Sequence, residues 1–365
     1  MKIGVPRETR DREFRVGVVP DGVAELREAG HEVLVEQGAG AGSGFPDHLY
    51  REAGARLVGA EEAFGAPDLV VKVKEPNSQE AAWLRPGQVL FCYLHLAAAP
   101  ELTRTLLERG IIAIAYETMR TARGTYPVLA PMSEVAGRLA VQLGVHLLQK
   151  DRGGKGLLVG GVPGVRRGQV TVVGAGTVGT NAARVARALG AEVEILDVDL
   201  ERLTHLYDLF HGELATLYSN RANLARSVRA CDLLVGAVYL QGRRAPVVVT
   251  EEMVASMEPG SVIVDVAVDQ GGCVETIRPT THSHPTYEAH GVIHYGVANM
   301  PGAVPRTSTV ALTNVTLPYV RQIADLGVEE ALRRDHVLAE GLNLWRGEVT
   351  CPGVAESLGL PLRAA

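Results

Sequence analysis

Aromatic side chains are scarce in this sequence, 5% of 365 residues, and cysteines scarcer, with four. Cys92, Cys231, Cys273 and Cys351 form no C-x-x-C pair. Neither a zinc site nor a disulfide framework is therefore indicated, and a reducing compartment is expected. Lysines and arginines never run in long blocks and the formal net charge is -6, so the basic footprint of a nucleic-acid binder is missing. The opening MKIGVPRETR has no apolar signal core, and no apolar run approaches the ~20 residues that span a bilayer. Low-complexity segments and fixed-period repeats are missing too. These absences describe a soluble, cytoplasmic protein with no nucleic-acid and no membrane partner.

What the chain does contain is a hydrophobic fraction of 46% and 41 glycines, the composition of an Ala/Val/Leu-rich α/β enzyme. Its length exceeds one core and suits two domains of ~150 residues each. Short apolar runs alternate with helical patterns closed by glycine: KIGVP, GVAELREAG, HEVLVEQ, HLYREAG, LVVKVKE, PELTRTLLERG, IIAIAYE. That alternation is the signature of a parallel sheet covered on both faces. After the helical stretch MSEVAGRLAVQLGVHLLQK the alternation resumes, through QVTVVGAG, CDLLVGAV and GSVIVDVAV. The closing TSTVALTNVTLPYVRQIADLG and GVEEALRRDHVLAEGLNLW read as helices returning to the first domain. The expected architecture is α/β, two doubly wound Rossmann-like domains with mostly parallel sheets and an active-site cleft between them. Residues 1–128 with 308–365 would form one discontinuous domain, and 129–307 the other.

In VTVVGAGTVGTNAARVARALGAEVEILDVD, Gly174, Gly176 and Gly179 form G-x-G-x-x-G between an apolar strand and an amphipathic helix. The first glycine permits the tight turn, the second lets backbone approach a pyrophosphate, and the third lets the helix pack closely on the strand. Asp197 ends the next strand about 20 residues on, where a carboxylate meets the ribose hydroxyls. It repels a 2'-phosphate and so favours NAD over NADP, while Arg202 softens that preference. A tight turn with a solvated Asp197 is the bland alternative, and the complete strand–turn–helix–strand context disfavours it.

The stretch DLVVKVKEP, Asp68 to Pro76, reads as a strand with Lys72 and Lys74 on one face. Arg15 follows a charged loop, His95 ends the strand in VLFCYLHL, and Asp269 ends the strand in VIVDVAVDQGG. Ligands sit beyond the carboxyl ends of parallel strands. Each residue has a structural alternative: Lys72 as a satisfied structural or rim lysine, Lys74 paired with a glutamate, Arg15 in a solvated loop, His95 as a hydrogen-bonded core or loop residue, Asp269 capping a turn. Together they suit a small amino acid. Arg15 and Lys74 would grip a carboxylate, one as a fork and one as a point charge. His95 would exchange protons near neutral pH, and Asp269 would orient an ammonium group or a water.

The stretches MKIGVPRETRDREFRVGVVPDGV, LVVKVKEP, FCYLHLAA, IAYET, LAPMSEVAGRLA, VPGV, VVGAGTVG, DVAVDQGGCVET, RPTTHSHPTY and VANMPGAVPRTST occur in an order that resembles the L-alanine dehydrogenase family over essentially the full length. Related in turn are the nucleotide-binding domain of nicotinamide nucleotide transhydrogenase and, more remotely, saccharopine dehydrogenase. The resemblance implies reversible oxidative deamination of L-alanine to pyruvate and ammonia with NAD, in a homohexamer. It implies Arg15 and Lys74 as substrate ligands and His95 and Asp269 as the catalytic pair. For the cofactor it implies Ser133, Gly174, Gly176, Thr177, Val178, Gly179, Asp197, Arg202, Ser219, Val238 and Tyr239. The turn Val266, Ala267, Val268 and Asp269, then Arg278 and the run Val297, Ala298, Asn299 and Met300, complete that set. Arg202 stands where a lysine is expected.

Two other readings stay open. A transhydrogenase nucleotide-binding subunit would pass hydride between nucleotides, but those relatives lack the histidine and carry glutamate for the aspartate. A non-catalytic NAD-sensing module has no reason to keep the strand-end set.

Overall fold

The computed structural model describes residues 1–238 and 245–363. Along them run β1 (Lys2–Val5), β2 (Glu32–Glu36), β3 (Arg56–Val58), β4 (Leu69–Val71), β5 (Val89–Cys92) and β6 (Ile112–Ala115). Next come β7 (Gln169–Val173), β8 (Glu192–Asp197), β9 (Ala215–Tyr218), β10 (Leu233–Gly236), β11 (Val262–Asp265), β12 (Thr286–Ala289) and β13 (Val292–Tyr295). Last are β14 (Leu342–Trp345) and β15 (Glu348–Val349). The chain divides into two compact units, Met1–Met132 with Val304–Ala365, and Ser133–Ala303.

In the first unit the sheet order is β15-β14-β6-β5-β4-β1-β2-β3, and β1 to β6 are all parallel. Stripped of its antiparallel edge, this is the 3-2-1-4-5-6 order of a dinucleotide fold. Strands such as VLFC and IAIA are buried at every position, as a sheet covered on both faces requires. The helix Ser78–Trp83 starts at a capping box between Asn77 and Glu80, and Pro100–Glu108 starts on proline, whose missing N–H costs a first turn nothing.

The C-terminal chain returns as the 22-residue helix Pro305–Leu326 and two short helices. It does not stay helical through LNLW, as the sequence reading expects. Helix ends at Glu340, and Leu342–Trp345 pairs antiparallel with β6. The open edge of β6 supplies hydrogen-bond partners that local pattern cannot reveal, and Asn343 pins the junction by donating to the Gly341 carbonyl and the Thr118 hydroxyl.

In the second unit the order is β12-β13-β11-β10-β7-β8-β9. Only β12 is antiparallel, so the same doubly wound order recurs. On one face Val173, Leu196, Leu234 and Ile263 pack against Leu224, Val228 and Val254. Each sheet has a switch point where successive crossovers diverge, between β7 and β10 in this unit and between β1 and β4 in the first, and ligands settle beyond such points. Among the described residues no helix is long and apolar enough to cross a membrane.

Candidate active site

The second unit's switch point carries the glycine fingerprint. Gly174 takes φ +108°, and a Cβ there would meet the Ala237 carbonyl oxygen at 2.5 Å and the Val238 nitrogen at 3.0 Å. A Cβ on Gly179 would lie 1.8 Å from the Gly174 oxygen, so only glycine lets helix and strand come this close. Gly176 differs, because a Cβ there would have nothing within 4 Å. Its freedom serves no intramolecular packing and leaves an open approach to backbone. The helix Thr177–Ala188 has no side chain capping its first N–H groups, which leaves Thr177 and Val178 in the first turn of an anion-receptive terminus. These features fit a pyrophosphate.

Asp197 ends β8, accepting from the Ala175 N–H at 2.6 Å and the Asp199 N–H at 2.9 Å; each oxygen keeps a lone pair for a ribose hydroxyl. Ser219 donates its N–H to the Asp197 carbonyl and so sits beside it. Arg202 is paired with Asp199 at 3.3 Å and is largely exposed. Ser133 lies one turn before Gly137 on the helix Ala130–Leu147, and a Cβ on Gly137 would meet the Val178 oxygen at 2.2 Å, which carries the Ser133 face toward the glycine turn. The expectation for Tyr239 falls outside the described residues.

Asp269 is not at a strand end. β11 stops at Asp265, and Val266–Gln270 form a 3-10 turn that holds Val266, Ala267, Val268 and an exposed Asp269. Hydrophobicity continues through VDVAV, but the Asp265 carboxylate draws in the N–H of Ala267 at 2.9 Å and bends the chain. Asp269 accepts from the N–H of Asn299 at 3.3 Å. Asn299 is left-handed, with φ +60°, between an exposed Ala298 and a buried Met300. Val297 pairs with Thr280. Arg278 lies over the Tyr287 ring at 4.3 Å and donates its N–H to that phenol.

At the first unit's mouth, β4 ends at Val71, so Lys72 and Lys74 lie beyond the strand rather than on it. Lys72 turns inward, fully buried, 3.5 Å from Glu8 and 3.2 Å from Glu80. Burial works against its charge, but the two carboxylates outweigh it and raise its pKa. Lys74, half-buried, sits 5.7 Å above the Tyr93 ring. His95 stacks on the same ring at 6.2 Å, takes φ +49°, and has Nδ1 4.0 Å from Glu117. Glu117 also accepts from the His95 N–H at 2.6 Å. Arg15 is buried and gripped by Glu13 through two bonds, 2.7 and 2.6 Å. Burial alone would lower its pKa, and Glu13 reverses that. Burial pushes the Tyr93 phenol up and the Arg15 charge pulls it partly back. Lys74 and His95 thus flank Tyr93, whose hydroxyl donates to the Val128 carbonyl, and the Arg15 charge acts on the same phenol.

Sequence reasoning missed Tyr93, Glu8, Glu13, Glu117 and Asp265. Tyr93 had a signal, an aromatic two residues before the histidine in CYLHL. The acids had none, because what identifies them is the backbone amides they collect. Among the described residues no group of three or more His, Cys, Asp or Glu could hold a metal.

Comparison with known proteins gives the family. The model for the N-terminal domain of alanine dehydrogenase/PNT matches residues 4–136 and that for the C-terminal domain matches 140–352. The chain is 55% identical to the alanine dehydrogenase of Bacillus subtilis over 98% of this chain and 95% of that one. A solved L-alanine dehydrogenase superposes with TM-score 0.96 at 52% identity, covering 98% of this chain and 99% of that one. A transhydrogenase from Sinorhizobium meliloti superposes at 0.84 with 26% identity, covering 96% and 99%. With both domain models matched in order and 55% identity to a relative aligned over 95% of its length, the chain belongs to the alanine dehydrogenase/PNT family.

Proposed function

We propose that this protein oxidises L-alanine: alanine, NAD+ and water give pyruvate, ammonium, NADH and a proton, and the reaction runs in reverse as reductive amination. The first unit carries the substrate and the second the cofactor, which is NAD. Bound NAD supplies the hydride acceptor. Gly174, Gly176, Thr177, Val178 and Gly179 hold its pyrophosphate, Asp197 its ribose hydroxyls, and Ser133, Ser219, Val238, Arg202 and Arg278 flank it. Val266–Val268 and Val297–Met300 form the backbone wall on the nicotinamide side. Tyr239 is carried in the same set on resemblance alone.

Arg15 and Lys74 take the alanine carboxylate. Because the substrate is held at this end, its Cα is presented in one orientation. His95 accepts a proton from the amine as Cα is oxidised, then serves the water that adds to that carbon, with Asp269 orienting the ammonium and the water. Loss of ammonia leaves pyruvate. The observation that carries this reading is that Lys74 and His95 share the Tyr93 ring, with the Arg15 charge acting on its phenol. A sensor has no use for it, and a subunit passing hydride between nucleotides has no need of the imidazole.

The test is absorbance of NADH with L-alanine, glycine, serine, 2-aminobutyrate and lactate, each with NAD and NADP. Alanine with NAD should dominate. Hydride exchange between nucleotides without alanine turnover would instead favour the transhydrogenase reading. His95→Ala should abolish turnover and leave NADH affinity near its original value; turnover surviving above a small fraction removes His95 as the proton carrier. On family resemblance the reading extends to a homohexamer, checked by light-scattering mass, and the unpaired state of all four cysteines supports a reducing, cytoplasmic setting.

A further inference from the structure

Asp265 is fully buried, yet it is no part of the set that would touch substrate or cofactor. Its Oδ1 accepts from the Ala267 N–H at 2.9 Å, and its Oδ2 accepts from the N–H groups of Cys273 at 2.7 Å and Val274 at 3.1 Å. One carboxylate thus ties together both ends of the excursion 266–273, which carries Asp269 at its turn. The return leg uses Gly271 and Gly272 at φ +94° and +78°, and each donates back into the turn, to the Val268 and Ala267 carbonyls. Space around the carboxylate is closed. A Cβ on Gly236, at the end of β10, would come within 2.9 Å of Oδ1, and one on Gly272 within 3.0 Å of Oδ2.

We propose that Asp265 is a positioning residue for the reaction, acting through Asp269 by clamping the two ends of its turn; this rests on the alanine-oxidising reading above. The chemistry of the side chain explains why an acid is needed. Three N–H donors converge from two directions, and a carboxylate offers two acceptor oxygens with lone pairs to spare. An asparagine offers one oxygen and turns an NH2 toward at least one donor, leaving a buried N–H unmet. The turn would loosen at one end while the sheet and the glycine fingerprint, on β7 and its helix, stay as they are.

The experiment compares D265N, D265S, D269N and D265N/D269N, with turnover expressed per NADH-binding site so that unfolded protein does not count. D265N should lower kcat at least tenfold, with NADH affinity and the KM for alanine each within about threefold, and should displace the pH profile of kcat. In the D269N background, D265N should cause little further loss, because a residue that acts through another is non-additive with it. A D265N enzyme with unchanged kcat and pH profile overturns the proposal. So does full additivity with D269N, or failure of both D265N and D265S to yield NADH-binding protein, which would make Asp265 structural only. If D269N itself keeps full turnover, or the wild type does not oxidise alanine, the fault lies in the underlying reading of the site, and the proposal falls with it.

Discussion

Gly176→Ala separates cofactor binding from folding. In the folded chain Gly176 takes φ -74°, an angle open to any residue, and a Cβ would meet nothing within 4 Å. Alanine therefore fits without strain, and by restricting the unfolded chain it should leave stability unchanged or raise it by up to ~1 kcal/mol. The same methyl points into the space through which a pyrophosphate must approach the helix N-terminus. A hydrogen bond from an amide to a charged oxygen contributes ~1.5–3 kcal/mol. Forfeiting one such bond raises the NADH dissociation constant about 10- to 150-fold. Gly179→Ala is the counterpart: its Cβ would lie 1.8 Å from the Gly174 oxygen, so the helix must shift, at a cost of ~1–3 kcal/mol in stability. The assays are NADH fluorescence titration and urea unfolding of both variants. If Gly176→Ala binds NADH within about threefold of wild type, or loses more than ~1 kcal/mol of stability, the reasoning that assigns this gap to the cofactor is wrong.

Lys72→Met strands Glu8 and Glu80 in the interior and should cost ~3–5 kcal/mol by denaturant titration, with NADH affinity unchanged; adding Glu8→Gln and Glu80→Gln should restore most of it. Glu117→Ala frees the amide of His95, whose left-handed backbone stores about 1–3 kcal/mol, and should lower alanine turnover roughly tenfold while Glu117→Gln, which keeps one acceptor oxygen, recovers part of it. His294, buried in β13 between the Thr276 hydroxyl and the Val292 carbonyl, has its pKa held below 6.5, chiefly by burial. The unfolded chain then binds the extra proton first as pH falls, so this group's share of stability is intact above 6.5 and declines below it; unfolding midpoints between pH 8 and 5 should fall less steeply in His294→Gln.

The sheets were legible because their signals are local. VTVVGAGTVG and IIAIAYE state strand and turn in consecutive residues, and the doubly wound order follows from repetition. What escaped depends on partners distant in sequence. LNLW is a strand because β6 offers it an edge. Lys72 and Lys74 look equivalent by alternation, but the strand stops before either, and Glu80 draws one inward. Asp265 and Asp269 both follow apolar residues in VIVDVAVD, and only the three amides gathered by the first show which one ends the strand.

Those gathered amides recur. Glu8 accepts from Val73 and Lys74, Glu117 from Leu94 and His95, Asp265 from both ends of the Asp269 turn, and Asp197 from Ala175 and Asp199. The cause lies in parallel topology. Where a parallel strand leaves its ladder at the carboxyl end, N–H groups lose their partners at the place where ligands bind, and a carboxylate satisfies two of them with charge-assisted bonds. Each clamp also installs a negative charge. At the first unit's mouth Glu8, Glu13 and Glu117 would repel a substrate carboxylate were it not for Arg15, Lys72 and Lys74 set among them. With Glu80 beside Lys72 as well, opposite charges alternate there, and such an arrangement suits a zwitterion better than a simple anion. Lactate, which offers the same carboxylate without the ammonium, should therefore be refused more strongly than its similar size would suggest.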